Sequence, residues 1–264
     1  MTYSDIELEL RPGYAVLSLN RPHRLNALAL RTVDELLAAF DEIAADESVH
    51  AVVLRANGRA FCAGIDLKEG ALDVGDGGSR AESRWAVQQR YSRVTLRMRE
   101  LPQPLIAAIQ GHACGGGLSL AAACDVRLVA QDAMLNVAFV TAGLTGGDMG
   151  TSYFLPRGMP ASIAAELMLT GRFMDADEAA RIGFASRIVP LESLTDAACE
   201  IAAQIAERNP VGIRMTKQMI DRSLDGAPLR TMIEIENRSQ VLCSFTGPFD
   251  EFVRRFQTDT GATE

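Results

Sequence analysis

The chain has 264 residues, long enough for one large domain or two small ones with a substantial core, and its 48% hydrophobic, 23% charged composition excludes wholesale disorder. A formal net charge of -8 argues against nucleic-acid binding, which would need a local basic patch to overcome that background. Cys62, Cys114, Cys124, Cys199 and Cys243 are odd in number without a CxxC pair, which suggests neither a disulfide framework nor a zinc site; with no leader-like start and no apolar run near ~20 residues, a soluble cytoplasmic protein without membrane association is expected.

In chain order, Ile6 to Leu10 and Tyr14 to Leu19 read as a hairpin around Arg11-Pro12-Gly13. From Leu28 to Ala44, Leu30, Val33, Leu36, Leu37, Phe40 and Ile43 recur at helical spacing, so an amphipathic helix is predicted with its stripe against a sheet. Ala51 to Arg55 is a short buried strand, and Leu105 to Ile109 after Pro104 resembles it. Each leads into a glycine-bearing turn, Phe61 to Lys68 and Gly111 to Leu118. Between them, Gly70 to Arg80 is glycine-rich without an apolar period and reads as a mobile surface lid. Arg84, Arg90, Arg93, Arg97 and Arg99 spread around a helix, so they form either a solvated face or an anchor for an anionic ligand. Leu118 to Ala123 reads as helix and Val126 to Ala130 as strand, so a strand, turn and helix unit recurs. From Ala161 onward the pattern is almost wholly helical: Ile163 to Met168, Ala176 to Arg181, Leu194 to Glu207, Pro210 to Ser223 and Leu229 to Phe245.

Glycine-bearing turns between a buried strand and a helix aim free backbone N–H groups at an anion. Two such donors meeting over one oxygen make an oxyanion hole. Other chemistries fail on pattern: Gly117-Leu118-Ser119-Leu120-Ala121 is not a GxSxG elbow, the glycines around Gly111 to Gly117 do not fit GxGxxG, and there is no Walker A sequence. The alternative for each turn taken alone is a tight strand-to-helix corner that needs glycine for conformation or packing.

Ala60 to Glu69 resembles the AFxAGxDLKE motif of the enoyl-CoA hydratase/isomerase (crotonase) superfamily, and Pro104 to Asp125 resembles its second motif. Asn20-Arg21-Pro22 with Asn26-Ala27-Leu28, and Leu169-Thr170-Gly171-Arg172 with Glu178-Ala179-Ala180 and Gly183, resemble two further segments, so the likeness runs from about residue 5 to 256. The resemblance implies an α/β fold, a spiral of ββα units with a helical C-terminal region. Residues 1–190 would form the core with the coenzyme A and oxyanion sites, and 191–264 a helical oligomerisation region. It implies an enzyme acting on acyl-CoA thioesters, assembled as a homotrimer or dimer of trimers, with no metal and no cofactor beyond the coenzyme A of the substrate itself. The backbone N–H groups of Ile65 and Gly116 would hold the thioester oxygen as it gains enolate charge. Arg24, Ala27, Ala63, Asp66, Leu67, Lys68, Ser119, Phe139, Val140 and Phe252 match positions around the substrate. For several of these a plainer role stands beside that one: Asp66 bonding turn amides, Lys68 and Arg24 lying in solvent, Phe252 in a core and Arg255 on the surface.

The departure from the family lies in the acid/base residues. A typical hydratase carries two glutamates where this chain has Ser119 and Phe139, and neither side chain exchanges protons at neutral pH as a carboxylate does. Asp148, in Gly146-Gly147-Asp148-Met149-Gly150-Thr151, stands near the position of the acidic residue of dienoyl-CoA isomerases and offers a replacement; a helix cap or turn brace is its other reading. As a catalytic group it would need its pKa raised by apolar burial beside Phe139, Val140 and Leu144. One shuttling carboxylate suits double-bond isomerisation better than hydration. The alternative function is a catalytically silent acyl-CoA-binding protein.

Overall fold

The structure, a computed structural model, describes residues 2–69 and 80–259. The predicted hairpin forms as β1 (Ile6–Arg11) and β2 (Tyr14–Leu19), paired antiparallel with Gly13 in the turn at φ +81°. The predicted helix follows as α1 (Leu30–Ala45), two residues later than its apolar pattern begins, because Leu28 is taken up in a β-bridge. Then come β3 (Ala51–Ala56), α2 (Arg80–Glu100), β4 (Leu105–Ile109), β5 (His112–Cys114), α3 (Gly116–Ala123), β6 (Val126–Ala130), β7 (Met134–Asn136) and α4 (Ala138–Thr141). The remainder is α5 (Thr151–Gly158), α6 (Ala161–Thr170), β8 (Phe173–Asp175), α7 (Ala176–Arg181), β9 (Arg187–Val189), α8 (Leu194–Ala206), α9 (Pro210–Leu224), α10 (Leu229–Ser244) and α11 (Gly247–Asp259).

Two sheets organise these elements. The larger runs β1-β2-β3-β4-β6-β9, parallel from β2 onward, and the smaller runs β5-β7-β8. Alternate residues of the large sheet serve two cores. Val52, Leu54, Leu105, Ala107 and Ile109 face the interior shared with Val33, Leu36, Phe40 and Ile43 of α1 and Tyr91, Val94 and Met98 of α2. Ala51, Val53, Ile106 and Ala108 face Leu194, Ala198, Cys199 and Ala202 of α8, one helical stripe on the opposite face. Fully burying a side chain such as Phe40 stabilises by about 1.5–3 kcal/mol. The domain boundary expected at 190/191 thus precedes a helix that covers the back of the main sheet.

Two strands correct the reading of the C-terminal third as almost wholly helical. β8 pairs with β7, and β9 adds to the edge of the large sheet beside β6. Each has three residues, too few for alternation to show, so neighbouring strands rather than local pattern define them. Three of the α2 arginines pair with neighbouring segments: Arg90 meets Asp34 and Arg97 meets Asp41 on α1, while Arg99 meets Asp125 and Asp221. The lid expected at 70–80 falls outside the described residues as far as residue 79.

Candidate active site

A second layer of β-bridges brings the two glycine turns together. Cys62 bridges in parallel to Ala113 of β5, and Leu28 bridges in parallel to Ile65. The layer therefore runs Leu28, then Cys62 to Ile65, then β5, β7 and β8, and each successive unit sends one strand to the large sheet and one segment here. Residues about fifty apart in sequence become lateral neighbours. Cys62 N–H donates to the His112 carbonyl at 3.0 Å, and Cys114 N–H donates to the Cys62 carbonyl at 2.9 Å.

The bridge pattern also sets where the amides point. Leu28 N–H donates to the Gly64 carbonyl at 2.7 Å, and Asp66 N–H donates to the Leu28 carbonyl at 2.9 Å. In such a parallel bridge Ile65 turns its own N–H away from Leu28, toward the side where the second turn lies. Gly116 opens α3, where its N–H has no helical partner. Among the described residues neither amide donates a hydrogen bond to the protein. The turns touch at glycines. Gly64 sits at φ +93°, and a Cβ there would lie 2.9 Å from the Cys114 carbonyl oxygen and 3.5 Å from the Gly116 nitrogen. At Gly117 a Cβ would lie 2.2 Å from the Cys62 carbonyl oxygen, so the backbones approach too closely for any side chain. Cys62 and Cys114 remain thiols: burial pushes them up to about 12 and about 11.

Buried charges wire the first turn to the N-terminal segment. Arg21, 2% exposed, meets Asp66 at 3.0 Å, Asp5 at 3.5 Å and Glu69, and donates to the Ala27 carbonyl. Arg24 grips both Asp66 oxygens, at 2.8 and 3.3 Å. Asp66 Oδ1 also accepts from the amides of Lys68 at 3.0 Å and Glu69 at 3.3 Å. Burial works to raise the Asp66 carboxyl, but the Lys68 amide and the two guanidinium groups outweigh it and hold the carboxyl below the usual range. Asn26, in the left-handed region at φ +54°, takes the Arg21 amide and donates to the carbonyls of Asn57 and Ala60, each at 2.8 Å. Arg21 and Asn26 form the centre of this network, and only their place in the N-terminal motif singled them out in sequence.

Along the outer face of this turn runs a groove of about 430 Å³. Arg24, Ala27, Ala63, Ile65, Asp66, Leu67 and Lys68 all line it. Leu67 and Lys68 are exposed there, and Lys68 has no ionic partner among the described residues.

Asp148 adjoins the second turn through Ser119 and Met149. Met149 and Gly150, at φ +48° and +85°, carry the chain into α5, with Gly150 as the capping residue. The Asp148 carboxylate makes no cap bond to α5. Its Oδ1 accepts from the Met149 amide at 2.6 Å and from the Gln88 side chain of α2. Its backbone carbonyl accepts from the hydroxyls of Ser119 at 3.2 Å and Thr151 at 2.8 Å. Burial raises the carboxyl above its ordinary value, with the Met149 and Gln88 bonds opposing. Of the apolar residues expected to bury it, Leu144 is 60% exposed. Met149 provides the link to the second turn: a Cβ on Gly116 would lie 3.1 Å from its sulfur.

Ser119 is wholly buried and bonds the Thr151 hydroxyl at 2.7 Å, tying α3 to the Asp148 turn. Phe139 is buried against Gly115, and Val140 packs at Gly171. The side chains of Phe252 and Arg255 lie outside the described residues. Sequence reasoning missed Gln88 and Met149, and neither carries a motif signal. Among the described residues no cluster suited to a metal ion occurs.

The family model for enoyl-CoA hydratase/isomerase matches residues 9–249. A probable enoyl-CoA hydratase of Mycobacterium tuberculosis is 40% identical over 245 residues, covering 92% of this chain and 86% of that protein. The mitochondrial Delta(3,5)-Delta(2,4)-dienoyl-CoA isomerase of Homo sapiens is 38% identical over 208 residues, 76% of this chain and 63% of that one. The solved structure of a probable enoyl-CoA hydratase/isomerase from Mycobacterium abscessus superposes with a TM-score of 0.89 at 38% identity, covering 97% of both chains. With its repeated strand pairs, its two adjoining glycine turns and these relatives, the chain belongs to the enoyl-CoA hydratase/isomerase family and has the crotonase fold.

Proposed function

We propose that the chain is an acyl-CoA enzyme that moves a carbon–carbon double bond by way of a thioester enolate. The observation that carries this reading is the juxtaposition of two unspent amides, Ile65 and Gly116, with one desolvated carboxylate, Asp148, beyond Met149. The groove lined by Arg24, Ala63, Leu67 and Lys68 takes the coenzyme A portion, with two cations for its phosphates. The thioester carbonyl then reaches the two amides, which gain most as negative charge builds on its oxygen; each such donor is worth on the order of 3 kcal/mol.

The proton steps balance on one group. Asp148 as carboxylate takes a proton from the carbon beside the thioester of a 3-enoyl-CoA. The C–H electrons form the enolate, and the protonated Asp148 returns the proton to the γ-carbon, leaving the conjugated 2-enoyl-CoA. Hydration would need a second group to hold and deprotonate water. Ser119 is buried and bonded to Thr151 and to backbone, and Phe139 is packed on Gly115, so neither supplies it.

The test offers the purified protein 3-enoyl-, 3,5-dienoyl- and 2-enoyl-CoA esters of several chain lengths and identifies the products. Double-bond migration without net addition of water is expected. Hydration of 2-enoyl-CoA as the main reaction overturns the single-carboxylate mechanism, and tight thioester binding without turnover indicates a silent binder.

A homotrimer or dimer of trimers belongs to the same reading, with residues 191–264 supplying much of the contact. Leu229, Val241, Leu242 and Phe245 of the C-terminal helices are between 55% and 81% exposed, a large apolar surface for a monomer. Light scattering would give the mass in solution, and a monomer at micromolar concentration contradicts this part.

A further inference from the structure

We propose that Gln88 of α2 is a positioning residue for proton transfer, clamping Oδ1 of Asp148 so that Oδ2 alone meets the substrate. This rests on the reading of Asp148 as the acid/base group. The Gln88 Nε2 donates to Oδ1, and the Met149 amide donates to the same oxygen at 2.6 Å. Among the described residues no donor reaches Oδ2. A carboxylate with two bonds on one oxygen and none on the other is fixed in rotation and presents its more basic oxygen in one direction.

The two donors do different things. Met149 is the next residue in the chain, so its bond sets the rotation of the carboxylate relative to its own turn. Gln88 is sixty residues away on a separate helix, so its bond fixes the carboxylate relative to the hole. That helix is itself tied to the hole. Tyr91, three residues on and on the same face of α2, is fully buried and donates to the Leu28 carbonyl at 3.1 Å. The same carbonyl accepts the Asp66 amide in the bridge that turns the Ile65 N–H outward. From the other side, the Ser119 hydroxyl holds the Asp148 carbonyl to α3, the helix that Gly116 opens. Asp148 is thus braced from α2 through its side chain and from α3 through its backbone.

A glutamine suits the task because its amide donates without titrating. Burial raises the Asp148 carboxyl, and the Met149 and Gln88 bonds hold it back from rising further. Among the described residues no charged side chain contributes to that balance, and the groups facing Asp148 from α3 and α5 are hydroxyls, Ser119 and Thr151.

The experiment follows the Asp148 carboxyl by ¹³C NMR as pH is varied, with its resonance identified by its absence in Asp148→Asn. In parallel it measures kcat and KM against pH with the 3-enoyl-CoA turned over fastest. In Gln88→Leu the titration midpoint and the acidic limb of kcat/KM move together to higher pH, because a donor to the ionised form has been lost. There kcat falls roughly tenfold with KM within about twofold. In Gln88→Glu both move further up, as two carboxyls compete for one proton. An unmoved midpoint and wild-type kcat in Gln88→Leu, with Asp148→Asn inactive, overturn the proposal alone. A lower melting temperature without any shift of the limb also overturns it, since that marks a merely structural bond. Wild-type turnover in Asp148→Asn overturns instead the reading on which it rests.

Discussion

The pair of amides proposed as the oxyanion hole and the turn that carries Asp148 meet at Met149, yet they are built by different means. The hole is made of backbone. Parallel bridges from Leu28 through Ile65, Cys62 and Ala113 bring its two amides side by side, and close contacts at Gly64 and Gly117 exclude side chains. The carboxylate is held by side chains: Gln88 on its Oδ1, and Ser119 and Thr151 on its carbonyl. Backbone geometry survives exchange of most side chains, so the hole can stay fixed while the proton-handling groups change. On the proposed reading, that freedom accounts for Ser119 and Phe139 standing where carboxylates would serve hydration, with the proton chemistry placed at Asp148.

The difference is open to attack, and the largest effect is expected at the side-chain half. Asp148→Asn should lower kcat by about 10³-fold while leaving thioester affinity by calorimetry within about twofold, because the substitution removes the proton carrier and keeps the shape. Next comes the support of the first turn. Arg21→Met leaves Asp5 and Asp66 buried beside an apolar chain and should cost about 3–5 kcal/mol of stability in a denaturant titration. Gly117→Ala presses a methyl group on the Cys62 carbonyl and should cost about 2–3 kcal/mol, with a loss of kcat that shows the hole has been displaced.

Acid separates the halves by sign. The Asp66 carboxyl is depressed in the folded protein, so its contribution to stability is present above the unfolded pKa and is lost as pH falls through the folded one. Asp148 is raised, so the base form that the proposed proton abstraction needs appears at higher pH than in an ordinary aspartate. The acidic limb of kcat/KM should accordingly lie at higher pH than the loss of structure followed by circular dichroism; coincident transitions would remove Asp148 as the titrating base. Lys68→Ala, at an exposed cation on the rim of the groove, should have the smallest effect, raising KM by no more than about fivefold at low salt.

What could be read in the sequence follows the same division. The large sheet was legible because Val52, Leu54, Leu105 and Ala107 form short apolar runs, and the approach of the two turns because glycine spacing reports backbone geometry directly. β8 and β9 were not, since three residues carry no period and their pairing is decided by β7 and β6. Gln88 was equally silent. A polar residue on an arginine-rich helix looks like solvated surface, and only the packing of α2, fixed by Tyr91 on the Leu28 carbonyl, turns it toward Asp148. Asp148 could be found as a candidate, but whether it caps α5 depended on which donors its oxygens met.

The most direct measurement is hydrogen exchange at the carbon beside the thioester, followed by ¹H NMR of a saturated acyl-CoA in D₂O. It needs no knowledge of the natural substrate, since it reports enolate formation alone. Wild-type protein should exchange that proton for deuterium, and Asp148→Asn, still binding the thioester, should lose the exchange by at least about a hundredfold. Equal exchange in both proteins would contradict Asp148 as the group that moves the proton.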